Sequence, residues 1–192
     1  YTEQASVGMR QFRGHLTLTV DAVWAQGHNL LRTRDLNYPD LNDPNRRRPD
    51  PNFQVITTRE TEGSSWYKAL QVGMQKRHFH RHSYAVAYTL SLSERDTEDW
   101  EFVPQDQRDY AAERGPSSSD VRHRLSANVN LDLPFALRFT AVITARSALP
   151  YTITIGFDDN RDNNFTDRPA GVGRNSARGE DFWQADARLS RE

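Results

Sequence analysis

The densest group of oxygen-bearing side chains is the run Asp158-Asp159-Asn160-Arg161-Asp162-Asn163-Asn164-Phe165-Thr166-Asp167. Asp158, Asn160, Asp162 and Asn164 fall on alternate positions, as at the start of a loop that wraps a hard cation such as calcium. The run departs from the EF-hand pattern, because Asn163 stands where glycine makes the sharp turn and Pro169 where a bidentate glutamate closes the site. Asp and Asn in such a run also satisfy their own backbone through Asx turns. A structural calcium ion and a self-satisfied turn are both open readings. His78, His80 and His82 share one parity and could gather a metal. Flanked by Lys76, Arg77 and Arg81, they also suit a polar turn at a membrane interface. Arg46-Arg47-Arg48 could contact anionic lipopolysaccharide or form an ordinary solvated cluster.

Catalytic chemistry finds no support. There is no glycine-rich phosphate loop, HExxH pair or nucleophile elbow. Ser117 to Ser119 and His123 form no recognisable triad, so no catalytic residue is assigned. The absence of cysteine excludes disulfides, zinc-thiolate sites and thiol catalysis together. A net charge of -1 and a pI near 6.7 give no argument for nucleic acid as a partner.

The elements that must carry these loops show themselves by alternation. Between Trp66 and Leu92, Leu70, Val72 and Met74 alternate with Ala69, Gln71, Gly73 and Gln75. After a polar turn at Arg77 to His82, Tyr84, Val86, Tyr88, Leu90 and Leu92 alternate with Ser83, Ala85, Ala87, Thr89 and Ser91. A period of two over this length is a β-hairpin with one large apolar face and one small polar face. A soluble sandwich would carry charge on its outer face. The nearly uncharged second face instead suits a sheet with its large side chains in lipid and its small polar ones lining an interior.

Similar strands are expected at Thr2 to Gln11, His15 to Gln26, Val121 to Leu133, Phe135 to Thr144 and Phe182 to Ser190, with short candidates at Phe53 to Thr58 and Tyr151 to Ile155. Connections alternate: short at Phe12 to Gly14, Arg77 to His82 and Pro134, long at Gly27 to Gly63, Ser93 to Ser119 and Ser147 to Glu180. Up-and-down outer-membrane barrels sort tight turns to one side and long loops to the other in this way. Trp24, Trp66, Tyr84, Phe135 and Trp183 near strand ends suit interfacial girdles. The mean hydropathy of -0.84 does not oppose this, since such walls are apolar on one face only. No run approaches the roughly 18 apolar residues of a spanning helix. Tyr1 already lies in a strand, so no signal peptide is expected, and the chain reads as a piece of a longer protein.

Several segments resemble the barrel of TonB-dependent receptors, and more narrowly the Oar-like branch with its N-terminal carboxypeptidase-regulatory-like domain. These are Tyr67-Lys68-Ala69-Leu70-Gln71, Asp120-Val121-Arg122-His123-Arg124-Leu125, Leu149-Pro150-Tyr151-Thr152, Asp167-Arg168-Pro169-Ala170-Gly171-Val172-Gly173-Arg174-Asn175-Ser176 and Asp186-Ala187-Arg188-Leu189-Ser190. The resemblance covers most of the chain from Leu30 onward. It implies an all-β, antiparallel up-and-down transmembrane β-barrel, here incomplete, with about seven or eight strands of a wall of about 22. Residues 1–192 would be part of that barrel, with the plug and regulatory-like domains outside the chain and open edges that keep it from inserting alone. It also implies the outer membrane of a Gram-negative bacterium, lipid as a partner, the TonB complex engaged through the missing N-terminal part, and an extracellular nutrient of siderophore, glycan or peptide type. Thr17, Asp21, Gln71, Thr89, Asn128, Asn130, Arg138, Gln184 and Asp186 would face the lumen. The alternatives are a structural or adhesive outer-membrane barrel and a soluble β-sandwich binding module.

Overall fold

The computed structural model describes residues 1–79, 82–99 and 101–191, the side chains of residues 77–79 excepted. Seven long strands form an antiparallel meander: β1 (Thr2–Arg13), β2 (Leu16–Asp35), β3 (Thr57–Phe79), β4 (His82–Arg95), β6 (His123–Leu133), β7 (Leu137–Arg146) and β10 (Phe182–Arg191). A two-residue strand, β5 (Gly115–Pro116), adds to β4, which makes the sheet eight-stranded. β8 (Pro150–Tyr151) and β9 (Ala177–Arg178) form a separate ribbon, and Tyr110–Glu113 is a single 3-10 turn. β1 and β10 stand at opposite ends of the strand order, so the sheet is open.

The register turns the alternation of each strand into continuous rows. One row runs Met9, Val20, Val72, Tyr88, Leu125, Ala145, Trp183, and the next Gln11, Leu18, Met74, Val86, Ala127, Ile143, Ala185. On the opposite face the rows read Arg10, Thr19, Gly73, Ala87, Ser126, Thr144, Gln184 and Phe12, Thr17, Gln75, Ala85, Asn128, Val142, Asp186. A one-residue slip in any pair would move a strand's whole apolar set to the wrong side, so the pattern fixes the register. All nine residues expected on the lumen side share the polar face. On the apolar face of β3, Lys68 and Lys76 frame Leu70, Val72 and Met74, which spans about 26 Å of strand. At the usual strand tilt of about 35–45° this rises about 20 Å, most of the roughly 25 Å height of a membrane wall's apolar band, and long cationic side chains at its two rims can reach water. Trp24 lies directly across from Lys68, and Tyr84 directly across from Lys76, whose ammonium stands 5.9 Å from the ring centroid.

Three details depart from the sequence reading. β2 and β3 are 20 and 23 residues long, because the strands continue through much of the expected loop 27–63. Gly27 and Asn29 (φ 58) mark a bulge at Gly27 to Leu30, beyond which the ribbon resumes to pair Asp35 with Thr57. Arg32 locks this extension through Glu60 at 2.5 Å and Glu62 at 2.7 Å. Most of the expected short strand Phe53 to Thr58 is loop, as is Tyr151 to Ile155 beyond Tyr151. Finally, Phe135 belongs to the turn and not to the strand. Phe135 and Ala136 both take left-handed φ (64 and 58), and Phe135 is 84% exposed.

Short connections lie at one end, where β1 and β2 join through Gly14 (φ 60) and His15, as a two-residue hairpin loop requires. All three long connections emerge at the other end. The buried interior lies there, and it is polar: Asn37, Thr97, Glu113, Ser117, Asp120, Asp162, Asp167 and Arg174 are 3% exposed or less. Among the described residues the buried apolar side chains are few and scattered: Val121, Ala148 and the prolines Pro39, Pro104 and Pro150. A wall with its large side chains outside has no apolar core to offer the loops, so polar groups must hold them together.

Candidate functional site

The long connections are loop A (36–56), loop B (96–122) and loop C (147–181), and they interlock over the end of the wall. Loop A folds around Asn37, which is fully buried. Its amide donates to the carbonyls of Asp50 (2.9 Å) and Phe53 (2.6 Å), while its oxygen accepts from the Asp50 N–H at 2.7 Å. Loop B is tied to the β2 extension by Gln107, which exchanges hydrogen bonds with the Asp35 backbone, and by Tyr110, which donates to the Thr33 carbonyl and lies 3.8 Å under the Arg32 guanidinium.

Glu113 is the junction between loops B and C. The 3-10 turn, capped by the Asp109 carboxylate, aims its side chain inward. Arg168 grips that carboxylate with both terminal nitrogens, at 2.7 and 2.9 Å, and the Gln105 N–H donates to it at 2.9 Å. Arg174, whose side chain is 2% exposed, donates to the Glu113 carbonyl at 2.7 Å. It also binds the Glu98 carboxylate and the Arg95 carbonyl, with its cation 5.2 Å from the Phe102 ring centroid. Asn175 donates to Glu98 and to the Pro116 carbonyl. Lower down, Arg178 pairs with Asp120, which in turn accepts from the Ser93 N–H of β4. Gly115 is required at this crossing, because an added methyl would stand 2.5 Å from the Arg174 carbonyl.

The acidic run of loop C takes its shape from its own backbone. Asp158 accepts from the N–H groups of Asp162 (3.1 Å) and Asn163 (2.9 Å), Asn160 from Asp162 (2.9 Å), and Asp162 from Asn164 (2.8 Å). Arg161 and Asn163 adopt left-handed φ within the turn. Asp162 is also the link to loop A: the Tyr38 hydroxyl donates to its carboxylate at 3.0 Å, and Arg48 donates to its carbonyl at 3.1 Å. Burial pushes the Asp162 carboxyl above the usual carboxylate range and the Tyr38 hydroxyl upward as well, the latter reinforced by the neighbouring carboxylate. No group of three His, Cys, Asp or Glu able to hold a metal is found among the described residues.

In the arginine run, Arg48 is structural, bound to Asp35 and the Asn37 carbonyl, and Arg47 pairs with Asp43. Of the histidine group, His80 and the side chain of His78 lie outside the described residues, while His82 is an exposed strand residue. His123 is engaged by the Tyr88 hydroxyl at 2.8 Å, on the apolar face. The junction residues Glu113, Arg168, Arg174 and Arg178 were not singled out by chemistry in the sequence. The family-like segments hold two of them, Arg168 and Arg174, together with Asp120, Asp167 and Asn175, whereas Glu113 and Arg178 lie outside every such segment.

Below the cap, the polar face of the wall is open, and no helix among the described residues is long and apolar enough to cross a membrane. In three dimensions the chain is similar to the outer membrane transporter YddB from Escherichia coli, with a TM-score of 0.63 at 12% identity. The match covers 98% of this chain but 26% of that one. No curated protein matches the chain in sequence. The family described as outer membrane beta barrel domain matches residues 1–188, nearly the whole length. With its apolar rows facing lipid, its polar rows facing inward and its loops locked together at one end, the chain belongs to the outer membrane beta barrel domain family and resides in the outer membrane.

Proposed function

We propose that this wall is part of a TonB-dependent receptor of the Oar-like type, which takes up an extracellular nutrient and has no enzymatic step of its own. The observation that carries the reading is the ion-paired loop cap. It holds three long loops in one arrangement at the mouth of a polar interior, as capture of a ligand before passage requires, since preordered loops avoid an entropic cost on binding. The fold likeness to a transporter supports it. The plug, the TonB-contacting segment and the regulatory-like domain belong to this proposal, and so does a siderophore, glycan or peptide as cargo.

A deletion strain grown on single candidate nutrients tests the reading. One nutrient should fail to support growth, the intact gene should restore it, and restoration should be lost in a strain without TonB. Equal growth of deletion and parent on every nutrient, or restoration without TonB, would reject uptake. The structural or adhesive reading draws on exposed apolar loop residues, Phe53, Phe157 and Phe165 among them. It predicts lost surface attachment with unchanged growth.

A further inference from the structure

Beneath the loop cap, on the polar face of β3, β4 and β6, lies a cleft of about 240 Å³ whose lining includes Tyr67, Gln71, Thr89, Ser93 and Arg124. The side chains of these five have no hydrogen-bond or ionic partner among the described residues, whereas other hydroxyls of the lining are taken up by protein groups. The register places Arg124 directly opposite Arg146 on the next strand, both exposed; Arg124 lines this cleft, whereas Arg146 lines a separate one beside Tyr88, His123 and Phe182. Like charges in directly opposed positions destabilise a sheet, so this pair is a cost to the wall unless an anion joins it. Among the described residues, the Arg146 guanidinium meets the Phe182 ring, 5.2 Å away, and no carboxylate. The acid in the same cross-strand row, Asp21, is three strands from Arg124, roughly 14 Å at the usual strand spacing. That is too far for an ion pair.

We propose that this cleft binds an acidic, hydroxyl-bearing ligand of the size of a sugar acid. Arg124 would take the carboxylate, since a guanidinium fork matches a carboxylate with two parallel hydrogen bonds. Thr89 and Ser93 offer hydroxyls and Gln71 an amide, groups that can each donate and accept and so suit a polyol. Tyr67 adds a ring edge and a further hydroxyl. The inference names a substrate class for the uptake reading and rests on that reading for its biological meaning. Binding itself needs neither TonB nor transport.

The test uses the full-length protein purified in detergent, with glucuronate as probe and glucose as its uncharged counterpart, followed by calorimetry. Glucuronate should bind saturably, more weakly as salt is raised, and at least about tenfold more tightly than glucose. Arg124→Gln should lose about tenfold in glucuronate affinity while melting no lower than the parent, because it removes a like-charge contact. Thr89→Val should weaken both sugars. Equal affinities for the two sugars, no saturable binding at tens of millimolar, or an unchanged Arg124→Gln variant would overturn the proposal. Glucuronate binding in a strain that shows no import would leave this inference standing and remove the uptake reading. Import without binding at the cleft would do the reverse.

Discussion

Replacing Glu113 with leucine takes away the carboxylate that two arginines share, one by its side chain and one by proximity. Glu113 is 1% exposed, and the Arg168 and Arg174 side chains are 8% and 2% exposed. Arg168 would be left as a buried cation with neither of its two short hydrogen bonds, and the Gln105 N–H would lose its acceptor. Breaking a buried pair on one side costs about 3–5 kcal/mol. Because Arg174 keeps Glu98 and the backbone carbonyls, the lower half of that range is expected. The loss should appear as local opening of loops B and C, since no wall pairing touches Glu113. Hydrogen exchange in the intact receptor should rise on the order of a hundredfold or more around residues 104–113 and 166–174, with strand amides of β3 and β4 unchanged. Adding Arg168→Met should recover most of the protection, because the stranded charge is then gone and apolar replacements of buried pairs are often neutral. A single variant whose loop exchange stays within about twofold of the parent, or a double variant that opens further, would refute the reasoning.

Four other outcomes follow from the same geometry. Gly115→Ala should loosen the contact of β5 with loop C, because the new methyl meets the Arg174 backbone and not a flexible side chain; a loss of about 1–3 kcal/mol is expected in loop stability, read by proteolysis of loop C. Val72→Arg should cost about 2–4 kcal/mol of wall stability in bilayers, being midway between Lys68 and Lys76 on the lipid side, whereas Thr89→Arg on the inward face should cost far less in refolding measurements. The Asp162 carboxyl is raised by burial, so the closed state holds its proton more tightly than the open one. Its contribution to loop closure is full below the ordinary carboxylate pKa of about 3.9 and is lost as pH rises through the raised value. Asp162→Asn should therefore flatten the acid-side pH dependence of amide protection at Asn163 and Asn164, and an unchanged profile would count against it. Millimolar calcium should leave loop C protection unchanged, because its own N–H groups already engage Asp158, Asn160 and Asp162; a saturable rise in protection would establish the cation reading instead.

The wall was legible in the sequence because a strand's two-residue period is local. Leu70, Val72 and Met74 declare their face without reference to any partner, and pairing then follows from short turns. The extension of β2 past Gly27 was not legible, since Gly27, Asn29 and the crowd of Asn, Asp and Pro that follows read as a loop, and a bulge uses the same residues as an end. Phe135 was misplaced because its parity continues that of β7, while the three-residue turn that captures it depends on backbone φ and not on hydrophobicity. The acidic run of loop C was legible as an Asx-rich turn, yet its link to Tyr38 spans 124 residues. Glu113 and Arg168 are 55 residues apart and Asp120 and Arg178 are 58 apart. Pairs of this kind have no period, and a single sequence offers only that both partners are charged.

Why charged groups hold the cap follows from what the wall has already done with its apolar residues. Rows such as Val20, Val72, Tyr88 and Leu125 are committed to lipid, and the inward rows are mostly small or polar. A loop emerging from such a wall finds no oily surface to pack upon. Hydrogen bonds and ion pairs are what remain, and they are worth having only when each partner is satisfied, since a half-made buried network costs more than none. The cap meets that condition closely: among the described residues, Thr97 Oγ1 and Arg168 Nε are the buried side-chain atoms left without a partner. A directional network also specifies one arrangement, where apolar packing would tolerate several. The unpaired groups of the wall stand in contrast to this. Arg124, Gln71 and Thr89 lie a few residues from a region where nearly every buried polar atom is matched, yet their own side chains, on the inward face, have no protein partner among the described residues.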